Sequence, residues 1–204
     1  EHISRVAINA LADGTFEMDV FPQNITGKRN ILAEILDSQG KKVASVSGTV
    51  MPKDSLVTVK CKAENPRLWT SETPDLYTVK YTLSSSLKKI FEGTEKFGFR
   101  TIEVRHGDGI YLNGVKIKMK GVNRHSFWPE SGRTLNNDLC LKDALLIKEM
   151  NMNAVRCSHY PPDAGFLDIC DSLGIYVLNE IAGWQRWYDT PVGQKIVRAK
   201  GVRR

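Results

Sequence analysis

The stretch NAVRCSHYPPDAGFLDICDSLGIYVL, Asn153 to Leu178, decides how the second half of the chain folds. Ala154-Val155-Arg156-Cys157-Ser158 is a short, mostly apolar run bounded by polar residues, the pattern of a buried strand. Pro161-Pro162-Asp163 follows, and proline suits the first turn of a helix because its missing N–H would have no intrahelical partner there. Phe166, Leu167, Cys170 and Leu173 then recur at helical spacing. Gly174 stops the helix, since glycine accepts the left-handed conformation of a C-terminal cap. Ile175 to Leu178 is a second, fully apolar strand.

Upstream the same alternation begins one unit earlier. Ile117 to Val122 reads as a strand, and Asn136-Asn137-Asp138 supplies N-cap chemistry. The helix after it carries Leu139, Leu145, Leu146 and Met150, with Ala144 and Ile147 between them, on a broad apolar face that should be buried. The result is βαβαβ, and right-handed crossovers make its sheet parallel. An open doubly wound sheet and the opening of a TIM barrel both fit. No glycine-rich phosphate turn follows any of the strands, which argues against a doubly wound module holding a nucleotide or other phosphorylated ligand.

From Ile3 to about Arg105 the period changes to two. Phe16-Met18-Val20, Ile31-Ala33-Ile35 and Val57-Val59-Cys61 alternate with polar residues, as half-buried strands do. Turn sequences such as Ala12-Asp13-Gly14, Asp37-Ser38-Gln39-Gly40 and Met51-Pro52-Lys53-Asp54 separate them, implying an antiparallel sandwich of immunoglobulin-like type. Between Asn65 and Tyr77 two prolines interrupt the pattern, and Trp69 and Tyr77 are expected to close an end of the sandwich rather than offer a sugar platform. Asn113-Gly114, set between Ile110-Tyr111-Leu112 and Val115-Lys116-Ile117, predicts a two-residue hairpin in which both central residues have positive φ. We therefore expect a sandwich domain over residues 1–104 and the N-terminal part of a barrel domain over 105–204.

With 204 residues and 41% hydrophobic content the chain has room for two modest cores. Its net charge of +6 is scattered except at Arg198 to Arg204, which argues against nucleic acid as the partner. Cys61, Cys140, Cys157 and Cys170 have no zinc-ligand or CxxC spacing and read as buried free thiols. No apolar run reaches the ~20 residues that span a bilayer, so no membrane partner is expected. Glu1-His2-Ile3 lacks an initiating Met, a basic start and an apolar run; we expect an earlier segment ahead of it, and nothing in the stretch assigns a compartment.

In a barrel, reacting groups sit at the C-terminal ends of the strands. The three strand ends here are Gly121-Val122-Asn123-Arg124-His125, Arg156-Cys157-Ser158-His159-Tyr160-Pro161 and Asn179-Glu180-Ile181-Ala182-Gly183-Trp184. Such a density of Arg, His and Asn directly after apolar runs points to a shared polar pocket.

These residues resemble a known family. Asn153 to Leu178 looks like the signature of glycoside hydrolase family 2, the β-galactosidase-like enzymes, and GVNRHSFWPESGR, Gly121 to Arg133, is similar to that family's first barrel strand and loop. Asn65-Pro66-Arg67-Leu68-Trp69 and Phe97-Gly98-Phe99-Arg100 resemble its immunoglobulin-like domain, so the likeness covers most of the chain.

The resemblance implies a retaining glycosidase acting on terminal β-galactosides or related β-glycosides, with one glutamic acid as acid/base and a second as nucleophile ~5 Å away. Both belong to later strands of the family's barrel, so no catalytic residue is expected in this chain, which reads as an internal piece inactive by itself. Asn179-Glu180 is the one Asn-Glu pair, but its place matches a third-strand carboxylate that organises the pocket. His125, Arg156 and His159 match positions lining the sugar subsite, with Asn123, Glu180 and Trp184 beside them. Arg156 either orders neighbouring carboxylates through its planar fork or merely satisfies barrel carbonyls.

One departure stands out. Where well-known relatives supply a carboxylate and a histidine to an active-site Mg²⁺, this chain has Trp184 and Arg186, so no metal or cofactor is expected. Trp184, Trp187 and Tyr188 suggest instead an aromatic wall for a sugar face. The departure leaves β-glucuronidase or β-mannosidase specificity open, and a non-catalytic carbohydrate-binding module is the reading outside enzymology. The expected partner is a β-linked saccharide, and the open edge of a partial barrel invites self-association.

Overall fold

A computed structural model describes residues 1–86, 88–181 and 190–195. They fall in two compact units, Glu1–Ile117 and Lys118–Arg204. The expected junction at 104/105 falls inside the first of these units.

In the first unit β1 (His2–Ala10), β2 (Thr15–Gln23) and β5 (Val57–Lys62) form one antiparallel sheet in the order β1-β2-β5. A second is built from β3 (Arg29–Leu36), β4 (Lys42–Val50), β6 (Tyr77–Ser84) and β7 (Lys89–Phe97), in the order β4-β3-β6-β7. Three strands against four is the arrangement of an immunoglobulin-like sandwich. Its core comes from the alternation read in the sequence: Phe16, Met18 and Val20 of one sheet are buried with Ile31, Ala33 and Ile35 of the other. Polar neighbours such as Glu17 and Asp19 face outward and pair across strands, Lys60 with Glu17 and Thr58 with Asp19.

Phe97 and Phe99 close the sandwich at one end, with ring centroids 5.3 Å apart and Tyr77 edge-on to Phe99 at 5.0 Å. Trp69 is only 2% exposed, and Tyr77 is buried too, with its hydroxyl accepting the Arg67 N–H. Both aromatics pack, as expected, rather than present a face to solvent. A small sheet of β8 (Ile102–Arg105), β9 (Gly109–Leu112) and β10 (Val115–Lys116) completes the unit. Its β9–β10 turn carries Asn113 at φ 51° and Gly114 at φ 80°, the two positive values that the Asn-Gly pair was selected to tolerate.

The second unit holds three parallel strands, β11 (Gly121–Arg124), β12 (Ala154–Cys157) and β13 (Tyr176–Asn179), adjacent in that order. Helix α1 (Asn137–Glu149) links the first two, and α2 (Ala164–Leu173) links the second and third. Asn136 caps α1, accepting the Leu139 N–H at 2.9 Å, and Gly174 ends α2 at φ 71°.

The face of α1 differs from expectation. Cys140, Ala144 and Ile147 are its buried residues, whereas Leu145, Leu146 and Met150 are exposed. Side chains three and four apart share a helix face, and the narrow stripe at 140, 144 and 147 is the one turned to the sheet and α2. The first strand also begins later than predicted, at Gly121 rather than Ile117. Lys118 and Lys120 are instead fastened by Asn153, whose amide donates to the Lys118 carbonyl and accepts the Lys120 N–H at 2.8 Å.

Candidate functional site

Strand alternation sorts the parallel sheet into two faces. Val122, Val155, Cys157, Ile175 and Val177 pack with α1 and α2 in one apolar layer. Asn123, Arg156 and Leu178 lie on the opposite face, and the register sets them side by side: Asn123 opposite Arg156, Arg156 opposite Leu178. The strand ends then carry His125, His159 and Glu180 onto the same rim. Position in a strand, not proximity in sequence, assembles the group.

Arg156 is its centre. The guanidinium Nε donates to Glu180 Oε1 at 2.6 Å, and Nη2 lies 2.5 Å from the same oxygen. Nη1 donates to Asn123 Oδ1 at 3.3 Å. The other Glu180 oxygen, Oε2, is 3.2 Å from His159 Nδ1. A carboxylate only accepts, so Nδ1 carries a proton towards Glu180. The 3.4 Å approach of Arg156 Nη2 to that same Nδ1 is therefore a contact of two donors, tolerated because both point at one anion.

Burial pushes the Glu180 carboxyl up, but the hydrogen bonds from Arg156 and His159 and the Arg156 charge together outweigh it. The net effect holds Glu180 below the ordinary carboxylate value. This glutamate is thus ionised and fully engaged by its neighbours.

His125 stands at the exposed end of β11, with its ring 5.3 Å from that of His159 at a steep angle of 74°. Tyr160 joins them: its hydroxyl is 3.4 Å from His125 Nδ1 and 3.5 Å from the Ser126 carbonyl. The Arg133 guanidinium carbon lies over the Tyr160 ring, 3.9 Å from its centroid. The Ser158–His159 peptide is cis, and the buried Ser158 hydroxyl has no hydrogen-bond partner among the described residues.

Five of the six residues singled out from sequence, Asn123, His125, Arg156, His159 and Glu180, therefore meet on one rim. Trp184 lies outside the described residues, as do Arg186, Trp187 and Tyr188. Sequence reasoning gave no role to Tyr160, Arg133 or Arg124. Tyr160 directly follows His159, and its adjacency was the available signal; Arg133 reaches it from a loop whose path no periodicity encodes. Among the described residues no group of three or more His, Cys, Asp or Glu is arranged to hold a metal ion.

Two family domains match the chain in tandem. Residues 1–100 match glycosyl hydrolases family 2, and residues 102–196 match the TIM barrel domain of glycosyl hydrolases family 2. The chain belongs to glycosyl hydrolase family 2. Its parallel unit is accordingly the start of that family's barrel, and its first unit the family's sandwich.

Among family relatives, a β-galactosidase of Thermoanaerobacter pseudethanolicus is 34% identical over 191 residues, which cover 90% of this chain and 26% of that protein. A β-galactosidase of Lactococcus lactis is 42% identical over 117 residues, 57% of this chain and 12% of the relative. The solved β-glucuronidase of Bifidobacterium dentium, complexed with coumarin-3-O-glucuronide, superposes with a TM-score of 0.79 at 27% identity, covering 88% of this chain and 31% of that one. A Parabacteroides merdae β-glucuronidase with glycerol in its active site gives the same TM-score at 26% identity, with 97% and 26% coverage. The chain thus spans about a quarter of the length of the Thermoanaerobacter relative and less of the Lactococcus one.

Proposed function

We propose that the chain forms part of a retaining β-glycoside hydrolase, with terminal β-galactosides as the first substrate class, and that it supplies one wall of the sugar subsite. The observation that carries this reading is the Asn123, Arg156, His159 and Glu180 cluster at the carboxyl ends of adjacent parallel strands. Barrel enzymes place their chemistry at those ends.

Each member has a role that its contacts support. Arg156 fixes Glu180, and Glu180 in turn orients the His159 ring at the rim, where it can meet a sugar hydroxyl. His125 gives a second imidazole at an angle suited to a neighbouring hydroxyl. Fixed polar groups of this kind stabilise an oxocarbenium-like transition state through hydroxyl contacts that tighten as charge develops.

Glu180 organises this wall and is not the acid. A general acid for glycoside cleavage needs a raised pKa, and the Arg156 and His159 contacts push that of Glu180 the other way. The acid/base and the nucleophile are then carboxylates outside this chain, and the chain alone turns nothing over. The proposal includes a pocket without Mg²⁺, because in the sequence Trp184 and Arg186 occupy the positions where the family resemblance implies its ligands, and an indole does not ligate that ion while a guanidinium repels it.

β-Glucuronide specificity is the second reading, favoured by the close superposition on glucuronidase structures. A panel of aryl β-galactosides, β-glucuronides and β-mannosides separates the readings. The longer protein encoded around this chain is expected to hydrolyse β-galactosides best, with retention, and the 204-residue chain to hydrolyse none. Turnover by the chain itself, or none by the longer protein, overturns the proposal.

A further inference from the structure

The buried face of β11 carries a charge that the pocket does not touch. Arg124 is only 8% exposed, the kind of site where an ion is costly unless it is fully paired. Its Nε donates to Asp143 Oδ2 of α1 at 2.8 Å, and Nη1 donates to Ser126 Oγ at 3.2 Å. Nη2 lies 3.7 Å from Cys140 Sγ, and the guanidinium carbon Cζ lies over the Phe166 ring of α2, 3.9 Å from its centroid. One side chain therefore ties the end of β11 to both helices.

The main chain of the same residue reaches the other way. The Arg124 carbonyl accepts the Ser158 N–H at 2.9 Å, joining the end of β11 to the end of β12. His125 sits between Arg124 and Ser126, which the guanidinium grips together, and His159 directly follows Ser158. Both histidine-bearing strand ends are thus anchored at one residue from the face opposite the pocket.

We infer that Arg124 is a positioning residue of the sugar pocket: clamped by Asp143 and Phe166, it sets the mutual geometry of His125, Tyr160 and His159. A leucine or methionine would fill the same space in an apolar layer without the desolvation of a charge. What the guanidinium adds is a directional fork, which ties Arg124 to the Ser126 hydroxyl across His125 and to Asp143 of α1. The functional meaning of that geometry rests on the sugar-wall reading; the geometry itself does not.

The test uses the imidazole NMR signals of the 204-residue chain, which has four histidines. His2 and His106 lie in the sandwich unit and serve as internal references. In Arg124→Met the cross-peak between His125 and Tyr160 is expected to vanish and the His125 and His159 ring signals to move, with His2 and His106 unchanged. Arg124→Lys, which keeps the charge but loses the fork, restores the cross-peak only in part. Asp143→Asn weakens the clamp from its other end and gives the same change in milder form, also serving if Arg124→Met does not fold. Cys170→Ala is the control: it opens the same apolar layer without touching the clamp and leaves the cross-peak in place.

Unmoved His125 and His159 signals in a folded Arg124→Met or Asp143→Asn chain overturn the inference, as does an equal change in Cys170→Ala. Titrating the wild-type chain with methyl β-galactoside, read on the same signals, tests the sugar reading separately. Failure there with loss of the cross-peak in Arg124→Met leaves positioning intact and removes only its purpose.

Discussion

Replacing Phe166 by Ala removes a fully buried ring from the layer between α1, α2 and the parallel sheet. Truncations of this kind cost about 3–5 kcal/mol, transfer and cavity terms together. Part of that figure is the loss of the Arg124 guanidinium 3.9 Å from the ring centroid, a contact worth ~0.5–2 kcal/mol where water is excluded. The total is a large share of the roughly 5–15 kcal/mol that holds a domain together. In a unit of this size each kcal/mol moves the melting midpoint by about 4–8 °C, so a fall of about 12 °C or more is expected.

The two units can be read apart, because helices α1 and α2 both belong to Lys118–Arg204 and the described elements of Glu1–Ile117 are all strands. Helical circular dichroism thus follows the second unit, and amide-exchange protection of β3 and β6 follows the first. Phe166→Ala should lower the helical midpoint by that amount and leave β3 and β6 protected. A fall of less than about 4 °C, equivalent to ~1 kcal/mol, would refute the packing argument. Loss of protection in both units at once would refute their independence.

Three other outcomes follow from the same contacts. Because the folded-state pKa of Glu180 is lowered, the stabilisation it brings is complete above the unfolded value of about 4.3 and is lost only as pH falls below it; a Glu180 side-chain carboxyl carbon titrating at or above that value would contradict the geometry. Burial raises all four thiols, Cys157 up to about 11, but Cys61 alone is only partly buried, so a thiol reagent should modify Cys61 first and the other three only on unfolding; rapid labelling of Cys157 in the native chain would count against the core described. Leu141 and Leu145 are exposed on α1, so changing both to Lys should alter stability by no more than ~0.5 kcal/mol while shifting any self-association towards monomer in sedimentation; a loss above ~1 kcal/mol would mean that they are packed.

The sequence was most readable where a single period ran unbroken. Phe16-Met18-Val20 and Ile31-Ala33-Ile35 alternate with polar residues, and the structure buries those six. Asn113-Gly114 and Gly174 were legible for another reason: their conformations exclude most other residues. The rim was legible because strands that carry Asn123 and Arg156 next to their last residues spend polar side chains on a face that a purely structural sheet would leave apolar.

What escaped was what depends on neighbours. Helix α1 carries leucines on more than one side, so composition alone did not say that Cys140, Ala144 and Ile147 form the buried stripe. Arg124 looked like one more polar residue at a strand end. Only the alternation that turns Asn123 to one face and Arg124 to the other, with Asp143 and Phe166 waiting there, gives it a different role. Its partners lie on α1 and α2, too far along the chain for local pattern to reveal.

In the proposed function His159, oriented by Glu180 and Arg156, stabilises a sugar in the transition state of a cleavage performed by carboxylates elsewhere in the longer protein. The most direct measurement is kcat/KM of that longer protein for an aryl β-galactoside, before and after His159→Ala. Loss of one preorganised hydrogen-bonding group at the pocket rim should lower it by about 10²–10³-fold, largely in kcat. A variant that folds normally and stays within a few-fold of wild type would contradict the account.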